Sequence, residues 1–217
     1  MRLVLFGATG QIGRDILAQA LARGHRVTAL VRDPARLPKA GHGVKVMMGD
    51  ARREADVARA VVNQDAVVNA MGPGGLGTSD AFLDVLTECP GHIVDGMRAA
   101  GVQRIVALGS NGTLWVQPGL MLRDTPGFPP YALQVSGAHL RALRTYQESG
   151  LAWTVICPAS VVEPGGPTGH YRVRDDFVLD GVPRPPQPGI RTGEIAHFAL
   201  TEVERGEHIG HQVHVAY

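Results

Sequence analysis

Residues 2–24 read RLVLFGATGQIGRDILAQALARG: a short apolar, strand-forming run, three glycines at Gly7, Gly10 and Gly13, then a stretch of helical periodicity. A strand, a glycine-rich turn and a helix in that order make the geometry that holds a pyrophosphate. The first glycine permits the tight turn and the second lets the backbone approach phosphate oxygens. The third lets the helix pack close to the strand, and amides at the helix N-terminus face the anion. The spacing G-x-x-G-x-x-G is one variant of the dinucleotide fingerprint, and it gains weight from standing behind the first strand of a longer pattern.

That pattern runs through the chain. Strands are expected at 3–6, 26–31, 44–49, 66–71, 104–109 and 153–158, with helices at 11–23, 54–63, 80–100 and 131–149. The strand segments are apolar without alternation, as in strands buried on both faces, and their interleaving with helices predicts βαβ units. The expected fold is α/β: a single Rossmann-like domain over 1–217, a doubly wound parallel sheet of order 3-2-1-4-5-6. A last helix is expected from about Thr192, with Glu194 in its first turn, and HQVHVAY (211–217) as an edge strand. Glycine and proline cluster at 72–77, 126–130, 164–169 and 181–189. Segments 111–135 and 158–191 are therefore expected to form a small, loop-rich substrate cap.

Composition narrows the function classes. The 217 residues, 44% of them hydrophobic, are enough for one sizeable core, and a net charge of +1 gives no electrostatic reason to bind nucleic acid. Cys89 and Cys157 form no CxxC pair, so neither a disulfide framework nor a zinc site is expected. His208, His211 and His214 recur at every third position without an acidic or cysteine partner in the pattern, and no metal is expected there. No apolar run approaches the ~18 residues a membrane span needs, and no leader precedes the first strand. The expectation is a cytoplasmic protein acting on a small-molecule acceptor.

The end of the second expected strand decides which dinucleotide fits. A carboxylate there suits the ribose of NAD, whereas arginine suits the 2′-phosphate of NADP. The sequence TALVRDPARL puts Arg32 directly after the strand, Asp33 beside it and Arg36 one turn on. Arg32 offers the planar cationic fork that a phosphate takes, so NADP(H) is preferred, with NAD(H) through Asp33 as the alternative.

The motifs GATGQIG, HRVTALVRDPARLP, MMGDARREADV and NQDAVVNAMG, continued by GVQRIVALGS, HLRALRTYQESGLAWTVICP and RTGEIAHFAL, resemble the atypical short-chain dehydrogenase/reductases. Within them the chain looks like the NAD(P)H-binding, NmrA-like group that includes flavin and tetrapyrrole reductases. The resemblance implies phosphate contacts at Thr9, Gln11 and Ile12 beside the glycines, and the 2′-phosphate on Arg32 with Arg36 as second partner. It implies Asp50 at the adenine amino group, and Ala70, Met71 and Gly72 along the cofactor. Ser110 would face the nicotinamide, with Pro158 beside the same ring. It also aligns His139 with a histidine of those reductases, whereas Ser160 stands near the place of another histidine of theirs.

Ordinary members of the wider superfamily use a Tyr-x-x-x-Lys pair to move a proton. Here Tyr131 is followed at the fourth position by Val135, and the only lysines are Lys39 and Lys45, far upstream. Without that acid, alcohol and ketone interconversion is disfavoured. A flavin, quinone or tetrapyrrole spreads the incoming charge and needs mainly to be held against the donor. The expected function is an NADPH-dependent reductase of such an acceptor, with Ser110 and Tyr131 as the candidate catalytic residues. The alternatives are a non-catalytic NAD(P)-binding redox sensor and, third, an epimerase or isomerase. Trp115, Met121, Leu122 and Phe128 are candidates for an apolar wall around the acceptor or for ordinary core. His139 reads as a buried or half-buried helix position, and Cys157 as an inert buried thiol.

Overall fold

The computed structural model describes residues 1–37, 42–72, 83–180 and 189–217. In chain order the first half contains β1 (Arg2–Phe6), α1 (Gln11–Ala22), β2 (Arg26–Val31), β3 (Val44–Met48), α2 (Glu54–Val61), β4 (Ala66–Asn69), α3 (Asp84–Thr87), α4 (Cys89–Ala100) and β5 (Arg104–Leu108). There follow β6 (Trp115–Gln117), β7 (Leu120–Met121), α5 (Pro130–Gln147), β8 (Ala152–Pro158), β9 (Val162–Glu163), β10 (Arg172–Asp175), β11 (Ile190–Arg191), α6 (Thr192–Arg205) and β12 (His211–Ala216).

The main sheet has the order β10-β12-β8-β5-β4-β1-β2-β3. Its run β3-β2-β1-β4-β5-β8 is the expected 3-2-1-4-5-6, parallel throughout. The C-terminal segment corrects the expectation. It is not an edge: β12 lies parallel to β8, and β10, from a segment expected to be cap loop, closes the sheet antiparallel to β12. Pairing with β10 satisfies the outer backbone groups of β12, and the exposed Arg172 and Arg174 blunt the new margin.

Alternation along the strands sends side chains to two cores. Leu3, Leu5, Val27, Ala29, Val213 and Val215 pack with Ile16 and Leu17 of α1 and Phe198 and Leu200 of α6. Val4, Phe6, Ile105, Ala107 and Val155 pack on the other face with Val57 of α2, Ile93 and Met97 of α4, and Leu143 and Tyr146 of α5. Burial on both faces is why these strands read as unbroken apolar runs.

Two boundaries differ from expectation for local reasons. The helix expected over 80–100 divides into α3 and α4, because Pro90, in the first turn of α4, has no amide to donate to the preceding turn. Residues 80–82 of that expectation lie outside the described residues. The strand expected to reach Met71 ends at Asn69, whose Oδ1 accepts the Met71 amide at 3.1 Å.

Beyond β10, which joins the sheet, the cap segments are tied to each other and to α6. Trp115 and the 176–178 turn exchange backbone hydrogen bonds, Trp115 N to Asp176 O and Val178 N to Trp115 O, each 2.9 Å. Glu194, fully buried, accepts from Thr168 N at 2.7 Å and Gly169 N at 3.0 Å, and so clamps the 168–169 turn onto the start of α6.

Two buried histidines give the fold a pH signature. Burial pushes both His139 and His214 down to about 4. His214 Nδ1 accepts from Leu179 N, which leaves its proton on a buried Nε2 with no partner among the described residues. An unfolded histidine titrates near ~6.5, so below that pH the unfolded chain binds protons that the folded chain refuses. Their contribution to stability is complete above about pH 6.5 and is lost as pH falls toward about 4. His211 acts oppositely, since its hydrogen bond to Asp176 raises it. Denaturant unfolding at a series of pH values should show a loss of up to about 1.4 kcal/mol per pH unit per buried histidine over that window. His139→Leu or His214→Gln should each make the slope shallower by about one proton, and an unchanged slope would refute the assignment.

Candidate functional site

The expected cofactor residues stand where the parallel strands end. Gly7–Gly10 follows β1, Arg32 follows β2, Asp50 follows β3, Ala70–Gly72 follows β4, Ser110 follows β5, and Pro158 closes β8. On one side of β1 lies β2 and on the other β4, so chain order reverses there, and a crevice opens beyond the strand ends at such a switch point.

Gly7 has φ +83°, and a Cβ on it would lie 2.5 Å from the Ala70 carbonyl group. A Cβ on Gly13 would lie 2.0 Å from the Gly7 oxygen. These two glycines let three backbone segments touch. Gly10 differs: its φ is −76°, and the only described atom near an added Cβ is the Gly7 oxygen at 3.3 Å. It caps α1 with no side-chain hydrogen bond, and the first turn carries no acidic residue. Among the described residues no side-chain hydrogen bond caps the amides at this helix terminus, where the dipole favours an anion. The cradle fits the pyrophosphate of a dinucleotide, because the space a Cβ would fill is left to the ligand.

At the end of β2 the structure separates Arg32 from Asp33. Asp33 Oδ1 accepts the Ala35 amide at 2.9 Å and caps a short 3-10 turn over 34–36. Arg32 is exposed. Arg14, unnoticed in the sequence, donates to the Arg36 carbonyl at 3.3 Å and ties the first turns of α1 to this corner. Asp50 accepts the Arg52 amide at 3.1 Å, and its own amide donates to Asp56, whose carboxyl is held below the usual range by that bond and by Arg59.

Ser110 caps the next 3-10 turn, its Oγ accepting from Gly112 N at 3.2 Å. Asn111 Nδ2 donates to Ser160 Oγ at 2.8 Å, which joins the ends of β5 and β8 and brings Ser110 and Pro158 to one place. Asn69, at the end of β4, is fixed by donating to the Tyr146 hydroxyl at 2.9 Å, and burial raises that phenol far above its ordinary value. The sequence signal for Asn69 was a lone amide closing an apolar strand.

Tyr131, the other candidate, stands at the start of α5. It is 60% exposed in the first turn of α5, and Val135 and Ala138 on the same stripe pack against Leu83 and Leu86. Trp115, Met121, Leu122 and Phe128 are each half-buried, in the segment that follows Ser110. Burial pushes Cys157 up to about 12, so the thiol is inert at neutral pH. His208 Nδ1 pairs with Asp175 and His211 Nδ1 with Asp176, each at 2.7 Å, and these histidines staple the sheet margin.

The second and third glycines yield a contrast. Gly10→Val should leave a folded protein whose affinity for a nicotinamide dinucleotide collapses, whereas Gly13→Ala should destabilise the fold itself. Circular dichroism with cofactor titration checks both, and a folded Gly10→Val that still binds tightly would remove the cradle reading.

Residues 7–204 match the NAD(P)H-binding family. The chain is 30% identical to YwnB of Bacillus subtilis over 214 residues, covering 96% of this chain and 94% of that one. It is 38% identical over 185 residues to the 3-diazoavenalumate denitrifying reductase of a Streptomyces species, covering 79% of this chain and 59% of that protein. Among solved structures, a Burkholderia pseudomallei protein provisionally named as exported superposes with TM-score 0.85 at 34% identity, over 100% of both chains. A Streptococcus pneumoniae protein provisionally named an NADH-flavin reductase superposes with TM-score 0.81 at 24% identity, over 100% of this chain and 99% of that one, a likeness of fold. The glycine cradle at the switch point and these matches together place the chain in the NAD(P)H-binding family, in the NmrA-like group of atypical short-chain dehydrogenase/reductases.

Proposed function

We propose that the protein is an NADPH-dependent reductase that passes hydride to a conjugated acceptor of the flavin, quinone or tetrapyrrole class. The observation that carries this reading is the pairing of a dinucleotide cradle with a chain that offers no tyrosine–lysine acid: Val135 fills the lysine's position and packs, half-buried, against Leu83, Leu86 and Ala138. The names of the Streptomyces and Streptococcus proteins, both reductases, support it.

The dinucleotide supplies the hydride. The chain's own residues bind and orient. Gly10 and the first amides of α1 receive the pyrophosphate, and Ala70 and Met71, packed on Gly7, wall the crevice. The Ser110 hydroxyl and Pro158 border the nicotinamide end, with Trp115 and Phe128 supplying apolar surface for a planar acceptor. Such a site works by proximity, since a conjugated acceptor takes the charge and solvent furnishes the proton. For cofactor choice, Asp33 is occupied as a turn cap while Arg32 is exposed, which favours a 2′-phosphate.

NADPH oxidation followed at 340 nm with FMN or a quinone tests the reading. Turnover above the uncatalysed rate is expected. Tight NADPH binding with no turnover across both acceptor classes would favour the non-catalytic sensor instead.

Two sets of variants refine it. Arg32→Ala should weaken NADPH binding by about 1.5–3 kcal/mol and leave NADH nearly untouched, and equal losses would show that Arg32 does not read the 2′-phosphate. Ser110→Ala should lower kcat/KM by roughly tenfold, about 1.4 kcal/mol, and Tyr131→Phe by less. A loss near 10³-fold for a folded Tyr131→Phe would make the tyrosine a proton donor and return carbonyl reduction as the leading reading.

A further inference from the structure

Beneath the Ser110 turn, two polar side chains are buried in an otherwise apolar layer. Thr113 is 1% exposed and Gln212, on β12, is 4% exposed. Thr113 Oγ1 lies 2.7 Å from the Ser110 carbonyl oxygen and 2.6 Å from Gln212 Oε1, and Gln212 Nε2 donates to the Thr113 carbonyl at 3.3 Å. The backbone of Gln212 is held from the other side by Asp176. Asp176 N donates to Gln212 O at 2.6 Å, and Gln212 N donates to Asp176 Oδ1 at 3.0 Å.

Asp176 belongs to the cap and adopts the left-handed backbone, φ 59°. Its carbonyl accepts from Trp115 N, and its second carboxylate oxygen meets His211 Nδ1 at 2.7 Å. Every polar group of this residue is thus used at one junction. The single Thr113 hydroxyl proton serves Gln212 Oε1, while the Thr113 amide donates to the Ser110 carbonyl at 3.1 Å, so a continuous path runs from the cap through Asp176, Gln212 and Thr113 to Ser110. A core filler at position 212 needs no carboxamide, since leucine has a similar volume and no hydrogen bonds to satisfy.

We propose that Gln212 is a positioning residue that sets how the cap meets the Ser110 turn, and so how an acceptor is held at the nicotinamide end of the crevice. This rests on the reading of Ser110 and the cap as the acceptor side. Gln212 touches neither cofactor nor acceptor; its side chain acts through Thr113, and its backbone is held by Asp176.

The test uses Gln212→Leu, Thr113→Val and their double variant, with Asp176→Ala and Asp176→Asn as the control pair. With NADPH and FMN, each of the first two should lower kcat by about tenfold per folded molecule and leave the NADPH Kd within about twofold. The double variant should lose no more than the worse single one, because both changes cut the same link. Asp176→Ala should match Gln212→Leu. Asp176→Asn should stay within about twofold of the parent, since asparagine tolerates the left-handed backbone and keeps an oxygen for the Gln212 amide. Losses that only track a lowered Tm, or that add in the double variant, would overturn the proposal. Hydrogen exchange supplies a readout without turnover. In Gln212→Leu, amides of 110–117 and 176–180 should exchange faster together while those of α1 are unchanged. If the parent reduces no acceptor, the functional reading fails while this measurement still decides the coupling: exchange that rises in one segment alone sinks it.

Discussion

The backbone of Gly7 lies against the backbone of Ala70 and Met71, closer than any side chain would permit, and the Gly7 oxygen in turn lies against Gly13. The turn after β1, the first turn of α1 and the distant 70–71 segment are brought within van der Waals reach by the absence of two Cβ atoms. The helix α1 can then begin directly at the end of β1, and its unsatisfied amides open onto the crevice at the switch point. Arg32, Asp50, Ser110 and Pro158 are placed at the same rim because their strands are in register with β1 or with one another through β4 and β5. The sheet fixes which residues share the rim. The glycine contacts fix that there is a crevice behind it.

The opposite end of the sheet is held by charge. Arg104 Nη2 lies 2.7 Å from Glu202 Oε1, with side chains 11% and 2% exposed, and the same carboxylate oxygen accepts from Thr154 Oγ1 and His208 N. Burial lowers the Arg104 guanidinium while Glu202 raises it again. Removing one partner of such a pair leaves the other charge uncompensated, at a cost of about 3–5 kcal/mol. The pair joins the start of β5 to the last turns of α6 and the approach to β12. β5 leads to Ser110 and β12 carries Gln212, so this fold-stabilising contact lies in the elements on which the proposed acceptor side is built.

Most of the fold was legible because it follows from local chemistry. Apolar runs such as LVLF and RVTALV, with glycines behind the first of them, specify buried parallel strands and a phosphate turn without reference to anything distant. The β10 segment was not legible. RVRD is half arginine and exposed, so it resembles a loop until β12 is seen to need a partner. Asn69 and Arg14 were missed because a single polar residue has no periodicity. The Thr113–Gln212 contact spans 99 residues, and no local pattern reports it. Glu194 was legible as a first-turn carboxylate, whereas its grip on Thr168 and Gly169 required the folded cap.

The distribution of these contacts separates two tasks. The cofactor side is made mostly of backbone, and backbone changes little when side chains are exchanged. The proposed acceptor side is made of side chains, and three ties hold the cap segments to α6, to β12 and to each other: Glu194 on Thr168, Asp176 on Gln212, and Asn111 on Ser160. Substitutions at Trp115, Met121 or Phe128 alter the apolar surface between those ties without loosening them. On the proposed reading, a change of acceptor is cheap in this architecture and a change of cofactor class is not. The same physics makes the cradle recognisable from seven residues, while the acceptor has to be read from contacts that only the folded chain brings together.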